Sequence, residues 1–513
     1  MIDKALLGAI AVASTSIYLL LIVVQKIQRA QKASKLGCQG LQPALVNDPS
    51  GVATVRKFQA ASSEKRVPAM LAEDFDKLSK EHGRVVSTAK MPGLFFNDNI
   101  MTIEPKNIQT VLAGSFKDFE IGPTRVDNLR PVLGEGIFAS NGKIWEHSRA
   151  LLRPQFVRSQ ISDISLEERH VQSLMTVIDR EVTPTGWTNF LDVQPLFFRL
   201  TLDSATEFLF GESVNSQLNN ADTFAADFDL AQQLLSDAGR LGPAHWIKHD
   251  KNFHATAKRV HDYIDYFVQK AIKKARDGKV DPERYVFLDA LAQSTTDPVE
   301  LRSQLLNILL AGRDTTASTL SWFIHTMSNA KHSATYQKLR AHVLEEFGTY
   351  TNPNDITFER LKRSQYLQWC ISEILRIYPI VPVNGRAAVR DTVLPSGGGS
   401  DGQSPLFIKK GVIVNYSVHA MHRRKDLWGP DADEFIPERW EARRPGWEYL
   451  PFNGGPRICI GQQFALTEIA YVLVRFIQRV DALDGSQAGA VKHGLSLTNA
   501  PGEGVRVRLH LDQ

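Results

Sequence analysis

The 513-residue chain is predicted to be a mainly α protein with a minor β-sheet, preceded by a single membrane-spanning helix. Three observations predict this. Ala5 to Val24 carries no charge. Helix-period apolar patterning dominates residues 50–290 and returns at 301–327, 361–378 and 461–478. Short β-branched runs alternate with turns only at 381–415 and 495–511. The composition, 43% hydrophobic and 23% charged, is that of a globular chain and excludes disordered, collagen-like and polytopic membrane classes. A net charge of +4 without a dense basic tract argues against a nucleic-acid partner. Cys38, Cys370 and Cys459 are too few for a disulfide framework and suit a reducing compartment.

As a helix, Ala5–Val24 would span about 30 Å, the hydrocarbon thickness of a bilayer. A cleaved signal peptide has a shorter apolar core, followed by a small-residue cleavage site; here the A-x-A, Ala11-Val12-Ala13, lies in mid-run. Lys26, Arg29, Lys32 and Lys35 follow the run, which places the remainder in the cytosol. The expected organisation is an anchor over 1–28, a basic linking segment over 29–60 and one large domain over 61–513.

Leu301 to Met327 reads as a long apolar helix whose pattern is interrupted by Gly312-Arg313-Asp314-Thr315-Thr316. A second helix, from about Leu361 to Tyr378, stops at Pro379. Val381–Asn415 reads as a small sheet, with a hairpin tip in the glycines of Pro395–Pro405. No helix opens behind those glycines, so they are not a phosphate cradle. A last helix runs from near Gly461 to Gln478, and Leu495–Leu511 reads as strands about a turn at Pro501-Gly502.

The densest chemical signal is Phe452-Asn453-Gly454-Gly455-Pro456-Arg457-Ile458-Cys459-Ile460-Gly461. A cysteine just before a helix, near an arginine, is favoured as thiolate. A nucleophile needs a base, and no local His or Asn pattern offers one. Zinc needs further ligands; no C-x-x-C exists, and His419 and His422, at i, i+3, are not completed. A lone thiolate suits a metal otherwise held by its own macrocycle, a haem. The alternative is a buried structural cysteine, against which stand five positions held at once.

That pattern, F-x-x-G-x-R-x-C-x-G over Phe452, Gly455, Arg457, Cys459 and Gly461, resembles the cysteine-ligand loop of the cytochrome P-450 family, the haem-thiolate monooxygenases. Other stretches resemble the family in the expected order. Glu373-Ile374-Leu375-Arg376 is similar to its E-x-x-R, and Pro437-Glu438-Arg439-Trp440 to its P-E-R-F, with Trp440 a departure from Phe. The resemblance implies that Glu373, Arg376 and Arg439 lock the cysteine loop from behind. Ala311-Gly312-Arg313-Asp314-Thr315-Thr316 resembles A-G-x-[D/E]-T-[T/S]. Dioxygen must take up two protons before its O–O bond breaks; Thr315 is the expected positioning hydroxyl and Asp314 the acid that resupplies it. Trp145-Glu146-His147-Ser148-Arg149 is similar to W-x-x-x-R, which implies that Trp145 and Arg149 meet a haem propionate, as Arg386 and Arg457 do. Gly134-Glu135-Gly136-Ile137-Phe138-Ala139 imitates a dinucleotide fingerprint but lacks a clear preceding strand, and is expected to be a loop over the haem.

The resemblance spans nearly the whole chain and is strongest to the fungal alkane- and fatty-acid-hydroxylating branch, on Lys35-Leu36-Gly37-Cys38, Gly142–Phe156 and Gly461–Glu468. It implies the cytochrome P-450 fold, haem b with an axial thiolate from Cys459, O2 as co-substrate and a separate NADPH-dependent flavoprotein reductase. Related animal enzymes carry a haem-linking Glu where Ala311 stands, so non-covalent haem is expected. The implied setting is the endoplasmic reticulum membrane, the implied substrate a long aliphatic chain oxidised at or near its terminus. Members of the branch also tailor secondary metabolites. A reductase-independent hydroperoxide isomerase or peroxygenase, or a non-enzymatic haem protein, would leave Asp314 and Thr315 without purpose. Leu306, Leu309 and Leu310, Val381–Gly385 and Leu497–Ala500 are expected pocket walls, and Arg153, Arg423, Arg424 and Lys425 a basic docking face.

Overall fold

Helix α1 (Lys4–Lys35) runs unbroken through the apolar stretch, with Ile17, Leu19, Leu20 and Leu21 all more than half exposed. The structure, a computed structural model, describes residues 4–93, 97–157, 164–219, 223–281 and 284–511, the side chains of 4–12, 97 and 98 excepted. Among the described residues no helix is long and apolar enough to cross a membrane. The expected anchor lies partly outside them: residues 1–3 altogether, and the side chains of 4–12. Past the apolar stretch, Arg29 Nε donates to Asp391 Oδ2 at 3.1 Å, and Leu45 N bonds Lys90 O at 2.9 Å.

Eleven further long helices follow: α2 (Val52–Ser63), α3 (Val67–His82), α4 (Pro123–Leu133), α5 (Gly142–Leu152), α6 (Ser165–Asp179), α7 (Gln194–Phe210), α8 (Phe224–Gly239), α9 (Lys251–Arg276), α10 (Pro298–Met327), α11 (Ser333–Phe347) and α12 (Gln365–Ile377). The series ends with α13 (Gln462–Arg479). α10 is the central beam. It starts where Asp297 accepts from Val299 N at 2.9 Å, with Pro298 in the first turn, a strong N-terminal signal. Leu301, Leu305 and Leu309 pack with Val260, Ile264 and Val268 of α9. Leu320, Phe323 and Ile324 join α12 and α13 in a second core. A helix apolar on every side must be buried on every side. The polar stretch Gly312–Thr316 interrupts the apolar pattern but not the backbone, which stays helical with the Thr315 hydroxyl in mid-helix as expected; Thr315 and Thr319 return their hydroxyls to the carbonyls of Ala311 and Thr315 at 2.7 and 2.8 Å.

The helix expected over 361–378 is two pieces, Phe358–Arg363 and α12, because Ser364 adopts extended backbone (ψ 91°). The main sheet is assembled across the chain. β1 (Thr88–Gly93), β2 (Asn97–Thr102), β3 (Phe119–Glu120), β5 (Val383–Ala388) and β8 (Ile413–Ser417) stand in the order β1-β2-β8-β5-β3, with β2 and β8 parallel and the rest antiparallel. The region 381–415 is therefore not a self-contained sheet. β6 (Thr392–Gly398) and β7 (Ser404–Ile408) form the expected hairpin. The C-terminal strands divide between two sheets: β10 (His493–Leu495) pairs β11 (Asn499–Pro501), while β12 (Arg506–Leu511) lies between β4 (Leu191–Asp192) and β9 (Val480–Asp484).

Candidate active site

The cysteine loop is a tight hairpin ahead of α13. Cys459 N bonds Phe452 O at 3.0 Å and Ile458 N bonds Gly455 O at 3.0 Å. Asn453 and Gly455 are left-handed, φ 63° and 67°. A Cβ on Gly455 would overlap the carbonyl oxygen of Leu112, so only glycine fits both the backbone and the space. Gly455→Ala is therefore expected to displace the loop. The measurement is haem content and the carbon-monoxide difference spectrum, which should show most of the thiolate form lost.

Behind the loop, Glu373 and Arg376 are fully buried on α12. Arg376 donates a fork to Glu373 at 2.9 and 2.8 Å and spends its remaining N–H groups on the carbonyls of His422, Ala432 and Glu434. Arg439 reaches Glu373 at 3.3 Å and ties down Trp428 and Asp431. His422, which sequence analysis left without a role, joins this knot to the loop. Its Nε2 accepts from Leu450 N at 2.9 Å, so Nδ1–H donates to Arg376 O at 3.0 Å. Burial pushes its pKa down to about 3, keeping it neutral. Trp440, the departure from Phe, donates its indole N–H to Glu373 Oε2 at 3.0 Å. Trp440→Phe is expected to cost about 1.5–3 kcal/mol in denaturant unfolding, the range for a hydrogen bond to a charged group.

Loop, α10, α5, β5 and the tip of β10–β11 enclose a cavity of about 1430 Å³. Cys459, Phe452, Gly461, Trp145, Arg149, Arg386, Arg457 and Thr315 all line it. Arg457 lies 4.3 Å over the Trp145 ring and Arg149 5.9 Å from it. Arg457 donates to Ser140 O and Asn141 Oδ1 at 3.0 and 3.1 Å, and Arg386 to Gly385 O at 2.8 Å. Sequence analysis missed a fourth cation: Arg125 on α4 shares Asn384 Oδ1 with Arg386, at 2.8 and 3.1 Å. No local motif marks it; only folding brings α4 to β5. Among the described residues none of the four pairs with a carboxylate. Burial, then mutual repulsion with Arg386, depresses Arg457 to about 9 and Arg125 to about 10. Such a cluster calls for an anion. A group bearing two carboxylates and one open metal position fits it, and the cavity exceeds the ~300–1,000 Å³ usual for one small ligand.

Cys459 lines the cavity, and desolvation raises its thiol pKa while the group it would hold is absent. The Gly461 N–H and Arg149, not Arg457, pull the other way without winning.

Asp314 and Thr315 part company. Thr315 faces the cavity, whereas Asp314 is buried outside it beside Arg313, 3.4 Å away. Arg313 also pairs with Asp229 of α8, and Gln232 of α8 bonds Asp314; both are partners that sequence analysis missed. Burial raises Asp314 to about 6 against the pull of Arg313. The expected walls need revision. Leu310, Val381, Val383, Gly385, Leu497 and Thr498 line the cavity. Leu306 and Leu309, on another face of α10, are core, and Asn499 and Ala500 turn away. The Gly134–Ala139 loop borders the cavity at Ile137 and Phe138 and is pinned to α10 where Asn307 Oδ1 accepts from Phe138 N at 2.9 Å. Of the expected docking cations, Arg423 and Arg424 are spent internally. Arg423 is buried beside His419 and Asp433, and Arg424 binds Glu104 and Asp426 at 3.0 and 2.7 Å.

Comparison with known proteins agrees with this geometry. The family model for cytochrome P450 matches residues 59–501. The chain is 46% identical to cytochrome P450 monooxygenase g430 of Fusarium sp, over 98% of this chain and 91% of that protein. It is 39% identical to cytochrome P450 monooxygenase alt2 of Alternaria solani, over 94% and 93%. It is 44% identical to cytochrome P450 52A13 of Debaryomyces hansenii, over 75% and 76%. The crystal structure of the cytochrome P450DA heme domain shares the fold, with a TM-score of 0.74 at 19% identity, covering 93% of this chain and 98% of that one. With its cysteine loop, its Glu–Arg–Arg knot and its cation-lined cavity, the chain belongs to the cytochrome P450 family and is a monooxygenase.

Proposed function

We propose that this monooxygenase hydroxylates a long aliphatic chain, a fatty acid or n-alkane, at or near its terminus, while anchored in the endoplasmic reticulum membrane by Ala5–Val24. The observation that supports the substrate is the cavity. Its lining is mainly apolar and includes Phe138, Phe208 and Leu235 as well as Phe58 and Val55 of α2, beside Cys459. The resemblance to the alkane- and fatty-acid-hydroxylating branch points the same way.

Haem, held by Cys459 with its propionates toward Arg125, Arg149, Arg386, Arg457 and Trp145, would supply oxidation of an unactivated C–H bond by O2. Ala311 offers no carboxylate for a covalent link, so the group would be non-covalent haem b. The chain's own part is positional. The knot behind the loop holds Cys459, the apolar walls exclude water, and the Thr315 hydroxyl hands on a proton that Asp314 replaces, while Arg313, always charged, holds Asp314 beside Asp229. Electrons come from an NADPH-dependent flavoprotein reductase docked on the cysteine side, where Arg153 and Lys425 are the exposed cations. Membrane lipid would contact the exposed residues of α1, and Trp246 and Ile247, 66% and 58% exposed on the Gly242–Lys248 turn beside the cavity mouth, offer a second apolar contact. The catalytic domain is then cytosolic.

The test is microsomes with reductase and NADPH, offered C12–C18 fatty acids and alkanes, with products read by mass spectrometry. Terminal or near-terminal hydroxylation is expected. An untouched panel with an intact thiolate–carbon monoxide spectrum would discard the aliphatic substrate in favour of secondary-metabolite tailoring by the same chemistry.

A further inference from the structure

Gly134-Glu135-Gly136-Ile137-Phe138-Ala139 imitates a dinucleotide fingerprint, and the fold gives its two glycines another use. A Cβ on Gly134 would overlap Ser303 Oγ, and a Cβ on Gly136 would overlap the amide of Asn307. Both partners stand on α10, one helical turn apart. The glycines therefore let the segment lie directly on the helix. Asn307 is fully buried among the leucines of α10, and its amide is spent on this contact. Its Oδ1 accepts from Phe138 N at 2.9 Å. Its Nδ2 donates to the carbonyl of Leu133, the last residue of α4, at 2.9 Å and to Ser303 O at 2.8 Å. One side chain thus ties the segment on both sides of its glycines. Gln304, beside Ser303, adds a second fastening: it donates to Ser148 Oγ of α5 at 2.9 Å, and Ser148 reaches Glu135 O at 3.4 Å. Ser140 Oγ closes back on Gly136 O at 2.7 Å, and Arg457 donates to the carbonyls of Ile137 and Ser140 at 3.4 and 3.0 Å. Of residues 134–140, Ile137 and Phe138 line the cavity, whereas Asn307 does not. A buried amide is costly unless its bonds are made, and once they are made it specifies one geometry.

We propose that Asn307 is a positioning residue for the substrate. It acts from behind the cavity, fixing the wall made by Ile137 and Phe138, and through that wall it sets which groups the cavity accepts. The G-x-G pattern is the other half of the device, because only a segment without side chains at 134 and 136 comes close enough to α10 for the amide to reach Phe138 N and Leu133 O together. The role goes beyond the proposed activity and holds for an aliphatic chain and for a secondary metabolite alike.

Two measurements other than turnover test it on the full-length holoenzyme. The first is hydrogen–deuterium exchange of the peptide over residues 134–140. Asn307→Ala is expected to speed it about tenfold, the worth of one hydrogen bond. Exchange at the wild-type rate overturns the fastening. The second is spectral titration with two azoles that bind ferric haem, imidazole and 4-phenylimidazole. The phenyl ring needs the wall and the bare imidazole does not, so Asn307→Ala is expected to weaken 4-phenylimidazole several-fold and leave imidazole unchanged. Wild-type affinity for 4-phenylimidazole, or an equal loss for both azoles, overturns the control of the wall. Gly136 has no positive φ, and the amide of Asn307 supplies the nearest atoms a new Cβ would meet. Gly136→Ala is therefore expected to reproduce both changes, and it carries the test if Asn307→Ala does not fold. In the double variant the shortened side chain at 307 makes room for the new methyl, so the effects are expected not to add; additive effects overturn the contact.

Discussion

Arg376→Ala is expected to yield a protein that does not retain haem. Five donor bonds leave this one guanidinium, two to Glu373 and three to the carbonyls of His422, Ala432 and Glu434. Removing it strands a buried carboxylate and releases the segment that carries Leu450 into the cysteine loop. Breaking one side of a buried ion pair costs about 3–5 kcal/mol, a large share of the ~5–15 kcal/mol that holds a domain together. The measurements are the haem-to-protein absorbance ratio and the urea midpoint. Arg376→Lys is expected to fail nearly as badly, because an ammonium cannot make the fork. By contrast, removal of Lys258, in an exposed pair with Asp262 at 2.6 Å, should move the midpoint by under about 0.5 kcal/mol. Haem loading near wild type in Arg376→Ala would show that the knot does not hold the loop.

Asp314→Asn is expected to lower turnover by about 10²–10⁴-fold, the range for loss of a general acid–base group, while stabilising the fold above neutral pH. Asp314 sits at about 6 against an ordinary value of 3.8. Because its pKa is raised on folding, the folded state binds more protons than the unfolded one between those values. The stability due to the protonated form is complete below pH ~4 and is lost as pH rises through ~6. Near pH 7.5 the ionised carboxylate then costs about 3 kcal/mol, two pKa units at 1.36 each. Asparagine imitates the protonated form and escapes that loss. Melting curves should therefore show the variant more stable than the wild type at pH 7.5 and level with it only below pH ~3.8. A variant less stable at both pH values would show that Arg313 depends on the charge of Asp314 more than burial opposes it.

These two residues mark what could be read in a line of letters. Glu373 and Arg376 are three apart on one helix, and Phe452 to Gly461 is one loop, so their geometry is local and their spacing displays it. The long helix was equally legible, because a long, largely apolar helical stretch is a buried core element. Its continuity through Gly312–Thr316 was legible too, because helical apolar patterning flanks that polar stretch on both sides. Leu306 and Leu309 were assigned to the cavity because apolar residues carry no label for which wall they face.

Arg125, Asp229, His422 and the indole of Trp440 could not be found from spacing. Each works through a partner from 28 to 259 residues away that only folding delivers. The sequence by itself determined the class of fold, the metal-ligating cysteine and the order of the motifs, because those depend on short-range helix and turn geometry. The tertiary structure alone decided which cations share one anion site and that Asp314 lies outside the cavity that Thr315 lines. Burial and charge proximity are properties of packed elements and not of neighbours along the chain.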